Sequence, residues 1–257
     1  MDAPHAQQPV VQRLRLKYAK RGRLRFTSHR DFSRAFERAL RRARVPIAFS
    51  AGFSPHPRVS YANATPTGVA SEAEYLEIAL NEVVDPQQIR ASLDAALPIG
   101  LDLIEVVEAK TSDFAARLEA SLWQLVLPGV EREAAAAAIV ALLAESEVIV
   151  ERMTKDGARR FDARAAICSL SLADSLPENV EGHVAIAGDR PPSVILNAVV
   201  RNGSPSVRPD DLLAALRVVA GLASTSPPLV TRLAQGPLNA SGGSVVDPFD
   251  PDRELIA

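Results

Sequence analysis

Thiols are nearly missing from this chain: Cys168 is the single cysteine among 257 residues. One thiol closes no intramolecular disulfide, and it cannot by itself hold an iron–sulfur cluster or a structural zinc, which need several thiolate or imidazole ligands. A reducing, cytoplasmic setting is therefore expected. Aromatics are scarce at 5%, with one tryptophan and three tyrosines, so the core must be mainly aliphatic. Long apolar runs are short as well. The longest, Ala134 to Ala144, has eleven residues, too few to span a bilayer. The start, MDAPHAQQPV, lacks the charged and apolar segments of a signal peptide and reads as a loose leader over residues 1–10. No phosphate-cradling or dinucleotide-binding glycine motif occurs, and the carboxylates are scattered. Glu72, Glu74 and Glu77 read as one polar strand face, so neither a metal nor a cofactor is expected.

What is present in excess is positive charge at one end. Residues 1–58 hold 14 Lys and Arg against 3 Asp and Glu, a net of +11, which leaves 15 against 28, or −13, for residues 59–257. From Val11 to Phe26 the apolar Leu14, Leu16, Tyr18, Leu24 and Phe26 alternate with Arg13, Arg15, Lys17, Arg23 and Arg25. Period two predicts a strand or hairpin bent at Gly22, with one apolar and one cationic face. Ser28-His29-Arg30-Asp31 carries a capping signature, so a helix is expected from His29. Phe32, Ala35, Phe36, Ala39, Leu40 and Ala43 recur at the spacing of a buried helical face. Arg30, Arg34, Arg38 and Arg42 step by four along the other side, with Arg41 beside them. Like charges so spaced repel by a few tenths of a kcal/mol each, a cost that a polyanion relieves. Pro46 should stop the helix. Ser50, Gly52, Phe53, Pro55, His56 and Pro57 then form a stiff loop that holds His56 between two prolines. Arg58 opens the next strand.

Strands over 58–62, 75–80 and 101–108, with a helix over 86–97, complete a β-α-β-β-α-β order. After a polar connector at 111–120 the order recurs. It runs through strands at 122–127 and 148–153, a helix at 131–144, a stretch from 159 to 170, a strand at 194–202, a helix from Arg208 to Ala220 and a closing strand at 229–233. The expected fold class is α+β, as two tandem ferredoxin-like (βαββαβ) sandwiches with antiparallel sheets. The domains are placed at 11–110 and 121–235. A variable loop is expected at 172–192 and a disordered acidic tail at 236–257.

Four blocks carry a resemblance: Phe26-Thr27-Ser28-His29-Arg30-Asp31; Arg38 to Ala43; Pro46 to Pro57; and Pro66-Thr67-Gly68 with Ser71 to Tyr75. Together they resemble a bacterial radical-SAM-linked (radical-SAM-associated) protein family of unknown function, over most of residues 11–235. Leu is frequent in that family at the place of Arg30, and Asn at the place of Ser54. Many relatives carry this region behind a radical SAM domain, and none is expected here. The resemblance implies association with a separate radical SAM enzyme and supplies no reaction.

Three readings follow. The first is a non-catalytic RNA-binding accessory protein, with Arg13, Arg15, Arg23, Arg25, Arg30, Arg34, Arg38, Arg41, Arg42 and Arg58 as phosphate contacts and Tyr18, Phe53 and Tyr61 as stacking candidates. The second is a metal-independent ribonuclease using His29 and His56 as general acid and base. The third is a protein-docking module that binds no RNA. No membrane partner is expected.

Overall fold

The computed structural model describes residues 9–155, 157–175 and 193–253. The leader through residue 8, the loop at 176–192 and the last four residues lie outside them. The fold is mixed α+β, and the chain divides into two compact units. One holds the residues up to Ala116 together with those from Pro248 onward, and the other runs Arg117–Asp247.

In the first unit, β1 (Gln12–Lys20) is followed by α1 (His29–Arg42), β2 (Val59–Ala62), β3 (Ala70–Leu80), α2 (Pro86–Ala96) and β4 (Leu103–Glu108). The strands lie in the order β4-β1-β3-β2 with every pair antiparallel. Alternation along β1 sends Leu14 and Leu16 to full burial, opposite Ile78 and Leu76 of β3. Phe32, Phe36 and Leu40 of α1 and Ile89 and Leu93 of α2 join that core, so both helices cover one face of the sheet. The Ser28 hydroxyl accepts from the Asp31 N–H at 3.2 Å, and the Asp31 carboxylate takes the Ser28 O–H at 2.7 Å, which fixes the start of α1. Its end comes before Pro46: Arg44 turns left-handed at φ 52, and the Val45 N–H returns to the Leu40 carbonyl at 3.0 Å.

The basic strand stops sooner than its alternation predicts. Gly22–Phe26 is a 3-10 turn, entered by Gly22 at φ 53, so Arg23 and Arg25 do not belong to a strand. Three-residue turns eclipse side chains at i and i+3, and a short stretch of alternation does not tell such a turn from a strand.

The sheet face away from the helices is occupied. Arg15, 2% exposed, bonds Glu77 at 3.2 Å, Asp252 and the Thr111 carbonyl, and its guanidinium lies 4.8 Å from the centre of the Phe114 ring. Asp252 also accepts from the N–H groups of Lys110 and Thr111 at 3.1 Å each and from the Thr111 hydroxyl at 2.6 Å. Next to it Phe249, fully buried, meets Tyr75 and Phe114 edge-on or tilted at 5.3 and 5.6 Å. The expected disordered tail is thus ordered through Arg253. Its Gly, Ser, Pro and Asp content masks one aromatic and one carboxylate whose partners lie far away in sequence.

In the second unit, β5 (Ala120–Pro128), α4 (Arg132–Ala144), β6 (Ile149–Thr154), β7 (Gly157–Asp162), β8 (Ile167–Ala173), β9 (Ser193–Arg201), α5 (Pro209–Ala220) and β10 (Leu229–Gly236) follow a four-residue α3 (Phe114–Arg117) at the boundary. The sheet order is β10-β5-β9-β8, again antiparallel. The strand expected at 148–153 belongs to a separate hairpin with β7. The sheet strand is β8 instead. Asp162 explains the break, because its carboxylate accepts from the N–H groups of Val148, Arg164 and Ala165 and turns the chain between β7 and β8.

Removing one partner of a buried ion pair strands the other charge and typically costs about 3 kcal/mol or more. Asp252→Ala should therefore lower stability by that order in urea unfolding followed by circular dichroism. Arg15→Met with Asp252→Leu together should recover most of it, since an apolar pair strands no charge. A double variant no better than Asp252→Ala would mean that the ion pair is not what holds the segment.

Candidate nucleic-acid interface

The ten arginines expected to touch phosphate separate into two groups. On β1, Arg15 is buried and fully engaged, and Arg13 pairs with Glu77 at 3.0 Å. Arg15 is therefore withdrawn as a phosphate contact: register places Glu77 opposite it, and Asp252 closes over it. The neighbouring Arg21 binds Glu72, with one bond of 2.7 Å, and Asp102 at 2.8 Å. The Glu72 hydrogen bond raises the Arg21 pKa above its ordinary value against the opposing effect of burial.

On α1 the arrangement is reversed. Arg30, Arg34, Arg38 and Arg41 are exposed and make no ion pair or side-chain hydrogen bond among the described residues. Arg42 is exposed but donates to the Ala96 carbonyl at the end of α2, 3.2 Å away. Arg44, which stands outside the four-step ladder and is not singled out by it, extends the exposed cationic surface. Its signal was the run Arg41-Arg42-Ala43-Arg44. Arg23 is exposed on the 3-10 turn, Arg25 lies 4.8 Å over the Phe26 ring, and Arg58 is half-buried before β2.

The aromatic candidates separate in the same way. Tyr18 is 5% exposed and stacks on Phe32 with centroids 4.4 Å apart, so it belongs to the core and not to a base platform. Tyr61 is half-buried, edge-on to Phe32 and to the His29 ring at 4.7 Å. Phe53 is 79% exposed at the tip of the motif loop. That loop is pinched at its base: the Ser50 N–H donates to the His56 carbonyl at 2.9 Å, and the His56 N–H donates to the Ser50 hydroxyl at 3.0 Å. Gly52, at φ 117, takes a backbone state closed to other residues. Pro55 and Pro57 flank His56, whose side chain is exposed.

His29 and His56 share no hydrogen bond or ring contact among the described residues. A cleft of about 530 Å³ lies beside Arg13, Glu77, Ser60 and Asp113, but both guanidiniums at its wall are already held by Glu77. Among the described residues no group of three or more His, Cys, Asp or Glu could hold a metal ion, and no helix is long and apolar enough to cross a membrane.

A bacterial family described as "Uncharacterized protein conserved in bacteria (DUF2344)" matches residues 13–209, more than three quarters of the chain. The chain belongs to this family. The matched span includes α1 and the motif loop. No curated protein matches. A solved structure titled as an unknown protein from Galdieria sulphuraria is similar at 15% identity, covering 86% of this chain and 98% of its own, with a TM-score of 0.23.

Burial raises the Tyr61 pKa above its ordinary 10; a hydrogen bond with Ser33 opposes the rise and the Glu37 charge adds to it. A raised tyrosine contributes stability that is whole below pH 10 and is lost as pH climbs through the folded value. The difference between the absorbance titrations of the wild type and Tyr61→Phe should have its midpoint above pH 10. A midpoint at 10 would describe a ring open to solvent and return Tyr61 to the stacking candidates.

Proposed function

We propose that this protein of the DUF2344 family is a non-catalytic RNA-binding accessory protein and that the α1 arginines are its contact surface. The observation that carries the reading is the contrast between neighbouring elements. Arginines of β1 and the residue after it are neutralised by Glu72, Glu77, Asp102 and Asp252, whereas Arg30, Arg34, Arg38 and Arg41 keep their charge exposed. A fold that pairs its arginines in one place and leaves four on one helix retains a repulsion that a polyanion removes. Phosphate groups meet that need without any base-specific chemistry.

The strand orders β4-β1-β3-β2 and β10-β5-β9-β8 support reading both units as ferredoxin-like sandwiches, the second with the β6–β7 hairpin added. The resemblance of the motif blocks to radical-SAM-linked proteins supports a separate radical SAM enzyme as the partner. Cys168 alone cannot bind that enzyme's cluster, so the cluster needs cysteines from outside these residues.

Arg34→Glu, Arg38→Glu and Arg41→Glu together should weaken binding of total cellular RNA by at least about tenfold, with unchanged circular dichroism. Arg13→Ala should leave affinity within about twofold, because its guanidinium is already paired. Equal affinity of the triple variant and the wild type in a gel-shift titration would overturn the reading. In the same samples, with chelator present, the RNA should stay intact. Cleavage lost in His29→Ala or His56→Ala would establish an enzyme instead. An RNA-directed radical SAM partner should give more product with the wild type than with the triple variant.

A further inference from the structure

We infer that the ligand of the α1 surface is double-stranded RNA held by its phosphate backbone; this rests on the RNA-binding reading above and names its substrate class. Single-strand binders join a cationic groove to aromatic platforms on which bases stack. The α1 surface has the charge without the platform. Its two phenylalanines, Phe32 and Phe36, are 4% and 1% exposed and face the sheet, where Tyr18 stacks on Phe32. The other stacking surface open to a small α+β sheet is the face away from its helices. Here that face carries Tyr75, Phe114 and Phe249 packed on one another, 2%, 7% and 0% exposed. Bases have no entry to it.

With stacking closed on both faces of the sheet, binding at α1 itself depends on charge density. Arg30 to Arg41 are separated by eleven helical steps, roughly 17 Å of rise. A duplex offers one phosphate per about 1.7 Å of axis, twice the density of a single strand in comparable geometry. Double-stranded RNA is also the form that proteins recognise mainly through shape, phosphates and 2′-hydroxyls. The α1 arginines suit that ligand because they fix no base identity. Phe53 and Phe26, 79% and 59% exposed, are the rings that separate the two ligands: a splayed base could stack on them, and a paired base could not.

Fluorescence anisotropy should be measured with the full-length protein against an RNA duplex of about 20 base pairs and one of its strands, from about 50 to about 200 mM salt. Four phosphate contacts give a slope of log affinity against log salt near −3.6 for a duplex. The duplex is expected to bind at least about tenfold tighter, and each Arg→Ala among the four should reduce the slope by about 0.9. Phe53→Ala should leave duplex affinity unchanged. A strand bound as tightly as the duplex, with that affinity lost in Phe53→Ala or Phe26→Ala, would overturn the duplex assignment and leave RNA binding in place. Failure of both ligands to bind would overturn the RNA reading as well.

Discussion

A guanidinium that is 2% exposed must be surrounded by acceptors or the unit does not form, and Arg15 is that group. Everything on the far face of the first sheet follows from satisfying it. Glu77 stands opposite on β3 because antiparallel register puts it there, and Asp252 arrives from the end of the chain carrying Phe249 with it. Asp252 is satisfied in turn by two backbone N–H groups and the Thr111 hydroxyl, which ties residues 110–111 to the same spot. Charge pairing and ring packing therefore close the same surface, each making the other cheaper by keeping water out.

Closing that surface also sorts the arginines. Read along the chain, +11 in residues 1–58 looks like one large cationic region. Residues 59–116 bring 10 Asp and Glu against 2 Lys and Arg, a net of −8, so residues 1–116 sum to only +3. The acids are not spread evenly over the arginines they offset. Glu72, Glu77 and Asp102 reach Arg13, Arg15 and Arg21, and no acid of the sheet pairs with Arg30, Arg34, Arg38 or Arg41 among the described residues. The surviving positive surface is concentrated on one helix and the residues flanking it, and is not a property of half the chain.

The helices were legible from the sequence because their signals are local. Ser28 and Asp31 mark the start of α1 three residues apart, Arg208 and Asp211 do the same for α5, and Phe32, Phe36 and Leu40 give the buried face at a spacing of four. The α+β class followed from the order of such elements. Arg15 was misjudged because its partners lie 62 and 237 positions away, and nothing in Arg13-Leu14-Arg15 announces Glu77 or Asp252. The same reason hid the ordered end of the chain. Composition reports the average of a segment, whereas Phe249 and Asp252 act singly. At β6 the error was of another kind: period two identifies a strand without saying which strand it joins, and the Asp162 turn sends that pair away from the sheet.

These observations also explain why the helix face, and not the sheet face, is available for a ligand. A sheet with helices on one side leaves its other side to be covered, paired or used. In the first unit it is covered by side chains that bury a charge, and withdrawing them would expose Arg15, Asp252 and three aromatic rings at once. That cost makes the covered face a stable part of the unit, not a surface held ready for a ligand. The proposed interaction surface lies where exposing charge costs least, the outer side of α1, where long arginine side chains keep their heads in water while the apolar stripe beneath them stays packed. A ligand bound there would displace solvent and counterions and leave the core untouched, so the proposed surface and the stability of the fold could change independently.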